Sequence, residues 1–138
     1  MNMDFRNSVV GILAKSGKVL IGISPREDND WKFPQGGIEA KESKEQAITR
    51  EIKEELYINI TDKNIIKSSD KYFTYYYRGS FEIRLYPFLI SAEGLSDITF
   101  DKKEFSELHW LTPNEITNLP LKTRKEAYIA ILKEFNLL

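Results

Sequence analysis

The sequence predicts an α+β sandwich in which a mixed sheet is held between helices. Three observations carry that expectation. Two β-branched runs open the chain around a turn, a helical apolar stripe follows near its middle, and strand-like segments return before an amphipathic C-terminal stretch.

Ser8 to Leu13 and Lys18 to Ser24 are short aliphatic runs separated by Ser16-Gly17, which reads as a hairpin. Pro25 to Asp30 is polar and reads as a loop. After a short apolar stretch from Trp31, the glycine-bearing Pro34-Gln35-Gly36-Gly37 reads as a loop as well. From Glu45 to Leu56 the spacing turns helical: Ile48, Ile52 and Leu56 are each four apart, and Ser43 followed by Gln46 has the form of a capping box. Ile65 to Tyr77 and Ser80 to Ala92 are predicted strands joined near Arg78-Gly79, and Glu107 to Leu111 is a further one. Thr112-Pro113-Asn114-Glu115 combines an N-cap, a proline at the first helical position and a glutamate at the third, so a short helix follows. Thr123-Arg124-Lys125-Glu126 repeats the capping-box pattern ahead of Ala127, Ile131 and Phe135, which predicts a terminal amphipathic helix. There is no internal repeat, linker or low-complexity tract.

At 138 residues, 41% hydrophobic and 30% charged, residues 1–138 fit one compact domain. The 20 basic and 21 acidic side chains nearly cancel, so no bulk field drives non-specific binding to nucleic acid or anionic lipid, and a polyanionic substrate must be held locally. The absence of cysteine excludes disulfides, thiolate nucleophiles and thiolate zinc sites. The single histidine, His109 between Leu108 and Trp110, has no ligand spacing and reads as structural. A bound metal would therefore depend on carboxylate oxygens, which favours magnesium, with manganese the alternative. The N-terminal stretch lacks a long apolar core and no run reaches membrane-spanning length, so a cytoplasmic protein is expected.

The informative segment runs from Gly36 to Ile58. On the predicted helix, Glu51, Glu54 and Glu55 cluster on a face beside the apolar stripe. Like charges so close repel and raise one another's pKa, and a divalent cation would resolve the conflict. Arg50 is placed to orient Glu54 or to reach back to Glu42. A bare E-x-x-E-E most often marks a solvated helix face; the wider pattern changes that reading. Gly36, Glu42, Arg50, Glu51, Ile52, Glu54, Glu55 and Ile58 resemble the Nudix box, G-x5-E-x7-R-E-U-x-E-E-x-G-U with U aliphatic. Tyr57 stands where the family has glycine, so it must avoid positive φ or bear its cost. The resemblance implies a loop-helix-loop catalytic box on an α/β/α sandwich. It implies a metal site drawn from Gly36, Glu42, Glu51, Glu54 and Glu55, support from Arg50, and metal-dependent hydrolysis of a phosphoanhydride. The chemistry agrees with that reading, since such a reaction needs an activated water and a clamp on oxygens gathering charge. No serine elbow, cysteine or phosphate-cradling G-x-x-x-x-G-K offers a rival.

Beyond the box, Trp31-Lys32-Phe33-Pro34-Gln35-Gly36-Gly37-Ile38 resembles the W-x-x-P-Q-G-G-I signature of bacterial RNA pyrophosphohydrolases and related dinucleoside polyphosphate hydrolases. Phe5-Arg6 before Val9-Val10-Gly11-Ile12, Glu104-Phe105, Trp110-Leu111 and the terminal Lys125, Tyr128 and Lys133-Glu134-Phe135 are similar to the same subgroup. This implies phosphate contacts from Arg26, with Arg6 and Arg124 as further candidates, and a substrate contact from Tyr75. Tyr75-Tyr76-Tyr77 alternates across a strand, so one face could stack on a base; ordinary strand packing is the alternative. Glu104 is implied as an outside-box metal ligand or general base, although Lys103 replaces the subgroup's proline; Glu55 and Glu107 compete for the base role. Trp31 and Trp110 read as core or loop anchors. The expected substrate is a 5′-polyphosphorylated nucleotide, either a dinucleoside polyphosphate or an RNA 5′ end. One rival is a nucleoside triphosphate pyrophosphatase that cleans the nucleotide pool. The other is a non-catalytic nucleotide sensor, against which the intact box carboxylates argue. Base preference and oligomeric state are not legible in the sequence.

Overall fold

A computed structural model describes residues 4–138. Strands β1 (Phe5–Lys15) and β2 (Lys18–Ser24) form the expected hairpin, turning on Ser16 and Gly17 with both at positive φ. β1 lies at the centre of the sheet, with β2 antiparallel on one side and β7 (Phe81–Ser91) parallel on the other. Its Val9 and Leu13 enter one core while Val10 and Ile12 enter the other, which is why the run reads as continuously apolar. β3 (Asp30–Lys32) and β8 (Glu107–Leu111) both pair with β2.

Two sequence expectations change here. Gln35–Gly37, expected as loop, is a short strand β4 that pairs antiparallel with Ser8, Val9 and Val10 of β1. The pairing continues past both ends of β4, where Gly11 N–H donates to the Pro34 carbonyl at 2.9 Å and Ile38 N–H donates to the Asn7 carbonyl at 2.9 Å. Ile65 to Tyr77, expected as one strand, is two: β5 (Ile65–Ser68) and β6 (Phe73–Tyr77), both antiparallel to β7. The break faces Pro87, whose carbonyl accepts from Ser69 N–H at 3.2 Å. A proline cannot return the second ladder bond, so pairing lapses there.

Helix α1 (Lys44–Leu56) begins with the predicted capping box: Gln46 N–H donates to Ser43 Oγ at 3.0 Å and Ser43 N–H donates to Gln46 Oε1 at 2.9 Å. Ile48, Ile52 and Leu56 are completely buried against β1, where the missing side chain of Gly11 leaves room for the tips of Ile48 and Ile52. The helix ends on Tyr57 at φ 57°, ψ 31°, with its N–H on the Lys53 carbonyl, so the tyrosine bears the left-handed conformation that the family's glycine would adopt freely. Helix α2 (Pro113–Thr117) carries the Thr112/Glu115 box. Helix α3 (Lys125–Glu134) does not use its predicted one: Arg124 is the N-cap, with no side-chain cap bond, because a 3-10 turn over Lys122–Arg124 leads into the helix. α3 buries Tyr128, Ile131 and Leu132 on the sheet face opposite α1, completing the α/β/α sandwich. Among the described residues no helix is long and apolar enough to cross a membrane.

Candidate active site

The carboxylates of α1 meet β4 at the edge of the sheet. Glu51 and Glu55 are 8% and 3% exposed, whereas the Glu54 side chain is 58% exposed. Arg50 ties the group together. Its Nε and Nη2 grip Glu42 at 2.7 and 2.8 Å, Nη2 also donates to the Gly37 carbonyl at 2.9 Å, and Nη1 reaches Glu51 at 2.7 Å and Glu54 at 3.4 Å. These bonds, with the Glu39 N–H that Glu42 also accepts, hold the Glu42 carboxyl down at about 2 and push the Arg50 guanidinium further up. Burial raises Glu55 well above the ordinary carboxylate range; Glu51 and Glu104 add to that rise, and Lys32 opposes it. Among the described residues, Glu55 Oε1 is buried without a hydrogen-bond partner.

The tandem glycines are spatial requirements of the same site. A Cβ on Gly36 would fall within the Glu51 carboxylate, and one on Gly37 within the Arg6 guanidinium. Arg6, Gly36, Glu51, Glu54 and Glu55 thus share the wall of one open cavity of about 550 Å³. Arg26, Lys32, Gln35 and Glu104 line it too, as do the aromatic residues Tyr75, Tyr77 and Phe81. Glu104 pairs with Arg26. Its loop is fastened to the end of α1 by Asp101 N–H on the Glu55 carbonyl at 2.9 Å. The Tyr75 hydroxyl accepts from Gln35 Nε2 at 2.8 Å, and Gln35 Oε1 accepts from the Tyr128 hydroxyl, so Gln35 is fixed by a buried chain.

Three candidates stand elsewhere than expected. Arg124 is 1% exposed and does not line the cavity; its guanidinium pairs with Glu27 at 2.7 Å and Asp30 at 3.3 Å and lies over the Tyr75 ring at 4.9 Å. The residue at the start of α3 is drawn inward by those two acids, which spacing alone does not reveal. Glu42 lies outside the cavity lining, its carboxylate engaged by Arg50 and the Glu39 amide. Glu107 bonds His109 at 2.9 Å on the surface of β8, away from the cavity. Conversely, Lys32 and Glu27 were not singled out from the sequence, although both line the cavity and pair at 2.5 Å. A lysine inside a run of core residues carries no pattern that marks it as buried.

Among the described residues no three carboxylate or histidine side chains are gathered as a ready cation cage, since Arg50 draws Glu51 and Glu54 toward itself. The donor set nonetheless fits a hard divalent ion: the candidate donors are carboxylate oxygens and the Gly36 carbonyl oxygen, and among the described residues the buried Oε1 of Glu55 has no hydrogen-bond partner.

Residues 5–134 match the NUDIX domain family. The chain belongs to the Nudix family. It is similar to the RNA pyrophosphohydrolase of Zymomonas mobilis, at 29% identity over 98% of this chain and 97% of that one. A Wolbachia RNA pyrophosphohydrolase is 32% identical over 92% of this chain and 88% of that one. In fold it resembles the MutT protein of Methanosarcina mazei, with a TM-score of 0.76 and 16% identity over 99% and 96% of the two chains. This Nudix chain is accordingly an enzyme of the pyrophosphohydrolase class, and the box recognised in its sequence is the segment from Gly36 to Ile58 just described.

Proposed function

We propose that this Nudix enzyme hydrolyses a phosphoanhydride bond in a 5′-polyphosphorylated nucleotide, with the triphosphorylated 5′ end of RNA as its preferred substrate. The observation that carries this reading is the make-up of one cavity, whose wall combines Arg6 and Arg26, the Glu51, Glu54 and Glu55 carboxylates, and the aromatic rings of Tyr77 and Phe81. A polyphosphate needs cations along its length and an aromatic surface for the base. The RNA pyrophosphohydrolase name shared by relatives that match over nearly their whole length supports RNA ahead of other polyphosphates.

Glu51, Glu54 and Glu55 would hold magnesium or manganese, which when bound supplies an acidified water and neutralises the phosphoryl oxygens. The chain's own groups do the rest. Arg50 holds Glu51 and Glu54 through Nη1, and its two bonds to the half-buried Glu42 stop the guanidinium from swinging away. Arg26, whose side chain is 60% exposed, can turn from Glu104 to follow phosphate oxygens, and the exposed Arg6 lies over Gly37 in the cavity wall. Glu104, which lines the same cavity as Glu55, is assigned as the group that takes the proton of the attacking water.

A panel of triphosphorylated RNA, dinucleoside tetraphosphates, sugar nucleotides and each nucleoside triphosphate, with products separated by chromatography, tests this. Triphosphorylated RNA should exceed every free triphosphate in kcat/KM by at least about tenfold, or roughly 1.4 kcal/mol of transition-state binding. A free triphosphate as best substrate would replace this reading with that of a nucleotide-pool enzyme.

A further inference from the structure

Glu104 sits on an irregular loop, and a group that must meet a water at a defined point needs more support than a loop backbone provides. Two cations touch its carboxylate. Arg26 is mostly solvent-exposed, and phosphate entering the cavity would compete for it. Lys32 differs in both respects: its side chain is 6% exposed, it projects from the last position of β3, paired in register with Gly22 of β2, and its ammonium lies 3.7 Å from Glu104 Oε2. That ammonium is itself held at 2.5 Å by Glu27, which Arg124 holds at 2.7 Å, while Asp30 takes both Arg124 at 3.3 Å and Lys122 at 2.6 Å. An unbroken series of buried or half-buried ion pairs therefore runs from the start of α3 to Glu104.

We propose that Lys32 is a positioning residue for Glu104, and that the Arg124–Glu27 pair keeps its ammonium directed at that carboxylate when Arg26 turns to the substrate. This rests on the assignment of Glu104 as proton acceptor, not on which polyphosphate is cleaved. It also gives Arg124 a role compatible with its burial: it acts on the site through Glu27 and Lys32. A charge in this low-dielectric setting is more strongly directed than one in water, and its burial lessens its screening by salt.

The test is a double-mutant cycle on Lys32 and Glu104, using whichever compound of the panel the wild-type enzyme hydrolyses fastest. Lys32→Met should lower kcat by at least about tenfold with KM changed by less than about threefold, because the substrate contacts remain. In a Glu104→Gln background the same substitution should cost less than about twofold, since the carboxylate to be positioned is gone. Thermal melting in chelator, which reads the folded chain alone, checks that Lys32→Met folds; Lys32→Gln serves as the second variant should Met not fold. Glu27→Gln should reproduce the kcat loss in weaker form, again only where Glu104 is intact. Equal losses in both backgrounds would overturn the proposal and leave Lys32 a structural residue, as would full activity of Glu104→Gln. Either outcome leaves the wild-type substrate panel, and the reading drawn from it, untouched.

Discussion

Replacing Gly36 by alanine introduces a methyl group into the space that the Glu51 carboxylate occupies. The three nearest atoms to that methyl all belong to the Glu51 carboxylate, and Gly36 is not at positive φ, so the backbone itself accepts alanine. Overpacking of this kind costs about 1–3 kcal/mol. Against it stands a gain of about 0.4–1 kcal/mol from the stiffer unfolded chain. The net loss, about 1–2 kcal/mol, corresponds to a melting temperature lowered by roughly 3–6 °C for a domain of this size. Activity should fall by about tenfold or more, because Glu51 is pushed off its Arg50 bond and out of the carboxylate cluster. The decisive measurement repeats the substitution in a Glu51→Ala background. With the carboxylate absent, Gly36→Ala should leave the melting temperature unchanged or raise it by a degree or two, roughly the unfolded-chain gain alone. Calorimetry or chemical denaturation of the four proteins reads this directly. If alanine at position 36 is as destabilising without the Glu51 carboxylate as with it, the glycine is needed for some reason other than the room it leaves.

Glu55→Gln should lower kcat at least about a hundredfold, since it removes a buried charged donor, yet raise the melting temperature in chelator near neutral pH. Burial and two neighbouring carboxylates raise Glu55 in the folded chain, so its ionised form costs stability that glutamine does not. Millimolar magnesium or manganese should raise the wild-type melting temperature and chelator should abolish turnover; a flat melting curve together with chelator-resistant activity would refute the metal reading. Arg124→Met should destabilise by about 1–3 kcal/mol in urea unfolding, as it removes the arginine shared by Glu27 and Asp30 and leaves them only Lys32 and Lys122, whereas Arg26→Ala should stay within about 1 kcal/mol and lose activity instead. The Glu42 carboxyl is held at about 2 against an ordinary value of 4.5, so its contribution is complete above about pH 4.5 and is lost as pH falls toward 2. Urea unfolding from pH 7 down to 2 should show that loss in the wild type and a flatter profile in Glu42→Gln.

The helix that carries the box could be read from the chain alone because its determinants are local: the Ser43/Gln46 box and the Ile48, Ile52 and Leu56 stripe act within a few residues. The same holds for the Ser16-Gly17 hairpin and for α2. Box spacing likewise placed Arg50, Glu51, Glu54 and Glu55 together, since a helix converts sequence separation into a known angle. What the sequence could not contain were relations set by distant pairing. Gln35–Gly37 became a strand because β1 lies beside it, and Ile65 to Tyr77 divided because Pro87, across the ladder, cannot donate. Arg124 and Arg26 are indistinguishable as letters, two arginines near the ends of elements. Only packing decided that one is buried between Glu27, Asp30 and the Tyr75 ring while the other reaches into the cavity. Lys32 is the same case in reverse: a charged side chain comes to line a site when a nearby acid, Glu27, and one far along the chain, Glu104, converge to offset the cost of burying it. Such convergence is a property of three-dimensional folding and leaves no local periodicity by which it could be read.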